Sequence, residues 1–279
     1  MSISHRDIYY DSSKIGLGFF AFIRSLHSER GLLTQLVSKD LRARYRRSFL
    51  GLIWTLVNPI VSSLVLWLVF VSIFKTRLVN GTQFAPYLLA GVLTITFINQ
   101  GIMQAAESIS NGGRLFLKIR VDPRLFCVSN VLANAVNFFL GIIALAFVSL
   151  VSGASITIGF ILVILVGFCL TILTVGLGLI LSILFIRFDD VKYIVSILLQ
   201  LLTYMTPVFY PKDALSPHVK LLVSLNPLSS ILDVFRHVFN GTEVATVFDW
   251  TYMFVSSIGA FVVGILVFKK FWGRTVLML

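Results

Sequence analysis

Apolar residues along the chain form long runs that are separated by short polar and basic segments. Five stretches contain no Asp, Glu, Lys or Arg: residues 48–74, 78–106, 125–186, 193–211 and 250–268. A helix needs about 20 mostly apolar residues to cross a bilayer, and a charge inside it is costly. Each stretch therefore predicts at least one membrane-spanning helix.

The third stretch is roughly twice as long as one span. Near its middle lie Ser152, Gly153, Ala154 and Ser155, a composition typical of a turn. We therefore interpret this stretch as a helical hairpin, which gives six spans in all. The predicted fold is an all-α integral membrane protein with a single domain over residues 1–279, divided into an arm and interfacial helix at 1–47 and a six-span bundle at 48–279.

Lys and Arg residues are distributed unequally between the two sides of the predicted bundle. The N-terminal arm holds nine, the segment after the second span four, the segment after the fourth span two and the tail three, whereas the opposite side holds five. Loops rich in Lys and Arg remain in the cytoplasm. Both termini are therefore predicted to be cytoplasmic.

Residues 31–47 predict a helix that lies in the cytoplasmic membrane interface. Leu33, Val37, Leu41 and Tyr45 recur every four residues among basic side chains, as in an amphipathic helix at a bilayer surface. A solvated basic linker is the alternative interpretation.

Residues 211–249 predict short re-entrant helices on the outer side, between the fifth and sixth spans. Pro211, Pro217 and Pro227 divide this segment, and its apolar run at 221–232 is too short to cross a bilayer. Such pieces are tolerated at membrane depth where they pack on protein or line a cavity. A surface loop with a small buried helix is the alternative.

Composition excludes a soluble fold, because 57% of the residues are hydrophobic and 13% are charged, against about 25% charged in soluble domains. The net charge is +11, but the basic clusters lie between apolar runs, as in loops that face anionic lipid. We therefore expect membrane lipid, and not nucleic acid, as a partner. Cys127 and Cys169 each lie alone in an apolar stretch and indicate neither a disulfide framework nor a metal site.

Motifs for catalysis and nucleotide binding are absent from the sequence. It contains no GxxxxGKS or GxxxxGKT, no HExxH, no GxSxG and no cluster of His, Cys and carboxylate residues with metal-ligand spacing. The predicted spans also lack the ionisable groups that ion-coupled carriers hold at mid-membrane. We expect no cofactor in this chain, and the pattern disfavours both an enzyme and a secondary transporter.

Aromatic side chains in the first and fifth predicted spans are candidates for lining a passage. They are Trp54, Trp67, Phe70, Phe74, Tyr204, Phe209 and Tyr210. Rings stack on the apolar faces of sugars, and indole or phenol groups add hydrogen bonds, so such a passage suits a glycan. Interfacial belt residues or lipid-facing rings are the alternative.

Three stretches of the chain resemble a known family. The first is KDLRARYRRSFLGLIW at residues 39–54, which continues through Asn58 and Pro59 to Val69 and Phe70. The second is the basic segment at residues 111–123, and the third is TPVFYP at 206–211 followed by Leu225, Asn226, Pro227, Leu228 and Arg236. Together they are similar to the permease subunits of bacterial ABC exporters for polysaccharides and polyol phosphates, such as O-antigen, capsule and wall teichoic acid. The second stretch departs from the family, because Val121, Asp122 and Pro123 stand where a Phe-Pro pair is common.

The resemblance implies a homodimer in the bacterial plasma membrane, bound to two copies of a separate ATP-binding subunit that holds ATP and Mg²⁺. In such exporters the loop after the second span docks on the ATPase. The coupling candidates implied are Gly112, Gly113, Arg114, Leu115, Phe116, Lys118, Arg120, Pro123 and Arg124, with Asp189 and Asp190 in a second contact. The implied substrate is a lipid-linked polysaccharide or polyol-phosphate polymer that passes outward between the two copies of spans one and five.

The resemblance also implies an entrance for this substrate. We expect Arg42, Arg44, Arg46 and Arg47 to attract the lipid pyrophosphate through charge-assisted hydrogen bonds. Two alternatives stay open: an ABC exporter permease for drugs or another lipid, and a membrane-embedded glycosyl- or acyltransferase that works without an ATPase.

Overall fold

The computed structural model describes residues 19–45, 51–54, 57–58, 60–62, 64–65, 68–69, 84–116, 121–153, 158–241 and 244–275. The helices whose bounds lie in these ranges are α1 (Phe19–Ser28), α2 (Arg30–Tyr45), α3 (Phe84–Phe116), α4 (Arg124–Val151), α5 (Val163–Arg187), α6 (Val191–Met205), α7 (Pro217–Ser224), α8 (Pro227–Asn240) and α9 (Val247–Thr275). Short 3₁₀ turns lie at Gly51–Ile53, Ile158–Leu162 and Lys212–Ala214. The described residues contain no strand, so the all-α class is confirmed for them.

Four segments of the described chain are long and apolar enough to cross a membrane: Phe84–Gly112, Arg124–Val151, Gly159–Arg187 and Val247–Thr275. They correspond to the predicted spans two, three, four and six. The predicted hairpin is also confirmed, because α4 ends at Val151 and a turn follows at Ser152 and Gly153.

The predicted fifth span forms a shorter helix than expected. α6 has 15 residues, fewer than the about 20 that a bilayer requires. It ends at Met205 because Thr206 precedes Pro207, and a residue before proline avoids the helical region; Thr206 is accordingly extended, with φ −85° and ψ 135°. Most of the predicted first span lies outside the described residues. The structure therefore supports four of the six predicted spans.

Helix α5 occupies the centre of the bundle, where it packs against α3, α4 and α9. Its crossing with α9 is a contact between backbones. A methyl group on Gly176 would lie 2.4 Å from the carbonyl oxygen of Ala260, and one on Gly264 would lie 2.4 Å from the carbonyl oxygen of Gly176. Membrane helices approach this closely only where small residues face each other. Gly178 likewise allows α5 to approach Ala105 on α3 closely.

The N-terminal helices α1 and α2 pack on one end of this bundle. The predicted helix at 31–47 matches α2, which lies against α4 and buries Leu36; residues 46 and 47 lie outside the described ranges. α1 was not predicted. It is held by Phe22, which is fully buried and has its ring centroid 5.9 Å from that of Phe261 on α9.

Two short helices, α7 and α8, fill the segment that was predicted to hold re-entrant helices. The apolar run at 221–232 is split at Asn226, whose side-chain oxygen accepts a hydrogen bond from the Leu228 backbone N–H at 3.0 Å and so caps α8. At the other end, Gly241 takes a left-handed conformation with φ 66° and ends the helix. α8 is almost entirely buried, whereas α7 is mostly exposed. The predicted short helices are thus observed, and their depth in a membrane stays a prediction.

The glycine contact between α5 and α9 leads to a stability prediction. In Gly264→Ala the new methyl group would collide with the Gly176 backbone, so we expect a loss of about 1–3 kcal/mol. The measurement is the apparent unfolding temperature of the purified protein in mild detergent. Gly259→Ala is the matched control, because Gly259 lies on the same helix with no atom within 4 Å of the added methyl group. Equal unfolding temperatures of the two variants would contradict the close approach.

Candidate functional site

A polar cavity lies between α2, α3, α4 and the described part of the first predicted span. Its volume is about 440 Å³. The lining residues are Arg44, Trp54, Asn58, Ser62, Val92, Leu93, Thr96, Phe97, Gln100, Gln104, Asn134, Asn137 and Phe138. Most of these side chains carry hydrogen-bonding groups, although α3 and α4 are apolar helices of spanning length. Polar groups inside a membrane bundle are costly and usually functional.

Three of these side chains form one hydrogen-bond network. Arg44 donates from Nη1 to Asn134 Oδ1 at 2.9 Å and from Nη2 to Gln104 Oε1. Asn134, only 3% exposed, donates from Nδ2 to Gln104 Oε1 at 3.0 Å and to the Asn130 carbonyl at 3.0 Å. The network fixes the C-terminal end of α2 to both α3 and α4, and it satisfies amides that would be costly to bury alone.

The amides of this cavity are functional candidates that the sequence-based prediction does not contain. Gln and Asn side chains carry no charge, so the charge-free stretches that predict the spans do not reveal them. A usable signal is nevertheless present: Gln100 and Gln104 are four residues apart on α3, and Asn134 and Asn137 are three residues apart on α4. Such spacings place side chains on one face of a helix. An amide stripe on each of two adjacent spans therefore predicts a polar contact between them.

Arg42 and Arg44, the two predicted entrance arginines that the structure describes, line different cavities. Arg44 points into the cavity, whereas Arg42 is exposed and lines a separate open groove of about 580 Å³ along α2, together with Arg30 and Lys39. Burial raises the pKa of the neighbouring Asp40 carboxyl, and the positive charges of Lys39 and Arg44 oppose that shift. Arg46 and Arg47 lie outside the described residues. Arg42 is therefore the described member of the predicted set that faces solvent.

The predicted coupling segment is described only in part. Gly112 is half-buried near the end of α3, and Gly113, Arg114, Leu115 and Phe116 continue that helix. Lys118 and Arg120 lie outside the described residues. Pro123 is buried and stands at the N-cap position of α4. The turn between α5 and α6 exposes both Asp189 and Asp190, so this second predicted contact is open to a partner.

Arg124 turns inward and holds α1 in place. The side chain is 1% exposed, and its Nη2 lies 2.6 Å from Asp122 Oδ2. Its guanidinium also lies over the Phe22 ring, 4.7 Å from the centroid. Ser25 completes the contact by donating to Asp122 Oδ2 at 3.0 Å. The Asp122 position, where this chain departs from the family pattern, thus anchors the N-terminal helix.

A second carboxyl group approaches this anchor from the junction of α1 and α2. Burial, and to a smaller extent the negative charge of Asp122, raise the pKa of Glu29, while a backbone hydrogen bond involving Asp122 opposes the shift.

At the opposite end of the bundle, Arg236 on α8 connects three segments. Its side chain is 0% exposed. Nη1 donates to the Pro207 carbonyl at 2.9 Å, and Nη2 donates to the carbonyls of Tyr87 and Val208 at 3.1 and 3.2 Å. The guanidinium carbon also lies 3.4 Å from the centroid of the Tyr87 ring, a cation–π contact. We call this set the Arg236 clamp.

The residues of the third resembling stretch assemble around this clamp. Asn226 donates from Nδ2 to Thr206 Oγ1 at 2.9 Å, and Tyr87 donates from its hydroxyl to the Tyr210 carbonyl at 3.0 Å. TPVFYP, the Asn-Pro pair and Arg236, which are separated in sequence, therefore form one packed unit that fixes the turn after α6 against the start of α3.

The four candidate channel aromatics that the structure describes lie in two separate places. Trp54 lines the cavity near α2, whereas Tyr204, Phe209 and Tyr210 lie at the end of α6 and in the turn that follows it. The Tyr210 hydroxyl donates to the Tyr204 carbonyl at 2.8 Å. Trp67, Phe70 and Phe74 lie outside the described residues. A continuous aromatic passage stays a prediction.

A profile of the ABC-2 type transporter family matches residues 31–240, from α2 to the end of α8. The chain belongs to the ABC-2 type transporter family. This ABC-2 protein is 31% identical over 219 residues to the O-antigen export system permease protein RfbA of Myxococcus xanthus, which covers 78% of this chain and 83% of the relative.

Two further relatives extend the comparison of this ABC-2 chain. An O-antigen export system permease protein RfbA of Klebsiella pneumoniae is 25% identical over 244 residues, or 86% of this chain and 91% of the relative. The capsule polysaccharide export inner-membrane protein CtrC of Neisseria meningitidis is 20% identical over 254 residues, or 90% of this chain and 95% of the relative. The match therefore extends over most of the chain and includes both the cavity and the Arg236 clamp.

The Arg236 clamp predicts that Arg236→Met destabilises this ABC-2 protein. The carbonyls of Tyr87, Pro207 and Val208 would lose a donor inside the protein, at a cost of about 1–3 kcal/mol for each unsatisfied group. We expect the apparent unfolding temperature to fall by at least about 5 °C. Lys220→Met is the control, because Lys220 pairs with Asp213 at an exposed surface and such pairs contribute little. An unchanged unfolding temperature in Arg236→Met would contradict the clamp.

Proposed function

We propose that this chain is the membrane permease subunit of an ATP-driven exporter that moves a lipid-linked polysaccharide from the cytoplasmic to the outer side of the membrane. The observation that carries the proposal is the similarity, over most of both chains, to proteins named as permeases of O-antigen and capsule export. The proposed localisation is the bacterial plasma membrane, with both termini cytoplasmic.

The proposed assembly is a homodimer of this chain with two copies of a separate ATP-binding subunit. Both predicted coupling segments support one docking face, because the junction of α3 and α4 and the turn at Asp189 and Asp190 lie at the same end of the antiparallel helices. The exposed carboxyl groups of Asp189 and Asp190 can pair with positive charges of a partner. Arg124 is buried and stabilises the start of α4 through its ion pair with Asp122. ATP binding by the partner would then move packed helices as rigid bodies.

The proposed substrate enters along α2. Arg42, Arg30 and Lys39 line the open groove on this helix, and Arg and Lys side chains form strong hydrogen bonds with phosphate. A lipid diphosphate headgroup matches this positive surface. Arg46 and Arg47 remain in the proposed set, whereas Arg44 lies on the cavity side, where it donates to Asn134 and Gln104. O-antigen and capsule are the polymer types named for the relatives, and a teichoic acid stays within the proposed class.

Deletion of the gene tests the proposed function in cells. The proposal expects the surface polysaccharide to disappear and its lipid-linked precursor to accumulate inside, with both restored by the wild-type gene. The measurements are surface glycan by antibody or lectin and lipid-linked glycan by extraction. Normal surface glycan in the deletion strain would contradict polysaccharide export and return drug or lipid export to consideration. Loss of glycan synthesis activity in membranes from that strain would favour the transferase.

The entrance proposal predicts a binding defect in Arg42→Gln. Loss of one exposed positive charge should raise, by about threefold, the concentration of lipid-linked glycan that half-maximally stimulates the ATPase of the purified complex. Arg24→Gln is the matched control, because Arg24 is also exposed but lies on α1 outside the groove. Identical stimulation curves for Arg42→Gln and wild type would show that Arg42 does not bind the substrate at the entrance.

A further inference from the structure

We propose that the cavity between α2, α3, α4 and the first predicted span binds a short segment of sugar residues within each copy of the chain. The inference rests on the proposed function, because it takes the exported molecule to be a glycan. The cavity has a volume of about 440 Å³, which is within the range of small-molecule sites, roughly 300–1,000 Å³.

The chemistry of the walls matches hydroxyl groups. Amides supply both hydrogen-bond donors and acceptors, as sugar hydroxyls do, and Ser and Thr hydroxyls add the same dual capacity. Gln100, Asn137 and Asn58 contribute amides, and Thr96 and Ser62 contribute hydroxyls. A lipid tail in this space would offer these polar groups no hydrogen bond, which is unfavourable. An apolar ligand is therefore disfavoured.

Two wall residues show that the polar surface faces an open space. Thr96 and Gln100 lie one helical turn apart on α3, and both are exposed, whereas Leu93 and Phe97 beside them are buried. Polar side chains that stay exposed on a span usually face a cavity rather than lipid. Trp54, which is 50% exposed, adds an aromatic ring to the wall, and a ring can stack on the apolar face of a sugar.

The hydrogen-bond network of Arg44, Gln104 and Asn134 forms one side of this cavity and holds these three side chains in place. Arg44 directs its guanidinium at two neutral amides, and the other polar residues that line the cavity are neutral. A diphosphate is bound best by several positive charges, and the groove on α2 offers three, from Arg30, Lys39 and Arg42, whereas the cavity offers one. Diphosphate recognition is assigned to the groove on α2, and sugar recognition is assigned to the cavity.

Photo-crosslinking tests this assignment in the full exporter. Thr96 is replaced by p-benzoylphenylalanine, with Phe147 as the control because it is 62% exposed on the apolar surface of α4. After illumination of exporting cells, we expect at least tenfold more glycan-bearing adduct at position 96. Equal labelling at both positions, or no glycan adduct at position 96, would overturn the inference. In lipid nanodiscs, equal labelling at position 96 by a polyprenyl diphosphate without sugar would also overturn it.

Matched amide variants provide the second measurement. Asn137 lines the cavity, whereas Asn130 lies two turns away on the same helix and donates to the Phe126 carbonyl. We expect Asn137→Leu to lower surface glycan per copy of membrane protein by about fivefold, which corresponds to one lost hydrogen bond. Asn130→Leu should retain export to within twofold. Equal export by the two variants would overturn the inference.

Failure of this inference and failure of the proposed function are distinguishable. If gene deletion abolishes surface glycan but position 96 yields no glycan adduct, the exporter function holds and the sugar site is wrong. If deletion leaves the surface glycan intact, the proposed function itself is wrong.

Discussion

A polar group inside a bilayer needs hydrogen-bond partners from the protein itself. In this structure two arginines form such hydrogen bonds. Arg236 supplies donors to three backbone carbonyls at one end of the bundle, and Arg44 joins two amides near the other. Both side chains connect segments that are distant in sequence. Because an unsatisfied polar group is so costly there, each arginine fixes the segments around it in one arrangement.

Close packing between helix backbones holds the helices that carry these two arginine networks. The hydrophobic effect gives little drive for helix association in lipid, so contact depends on small residues and van der Waals packing. Gly176 and Gly264 let α5 and α9 touch through their backbones. α3 and α4 then lie beside α5 and present their amides to the cavity, while α2 closes it through Arg44.

Hydropathy predicts the parts of the fold that depend on long local patterns. Four spans, the hairpin turn and α2 agree with the sequence, because bilayer thickness and helix period act on neighbouring residues. α1 was not predicted, since the burial of Phe22 depends on Arg124 and Phe261, which are remote in sequence. The inward orientation of Arg44 and Arg124 is equally non-local. The amide stripe could have been found, because its spacing is visible in the sequence even though it carries no charge.

We propose that this chain forms the path of an ATP-driven glycan exporter, and the decisive measurement is transport by the reconstituted complex. The purified chain and its ATP-binding subunit are placed in sealed proteoliposomes that contain the lipid-linked glycan, with the ATP-binding subunits facing outward. We expect ATP to move the glycan from the outer leaflet to the interior, where it becomes protected from an added glycan-degrading enzyme. Protection that is the same without ATP, or that occurs without this chain, would show that the chain is not the path of ATP-driven export.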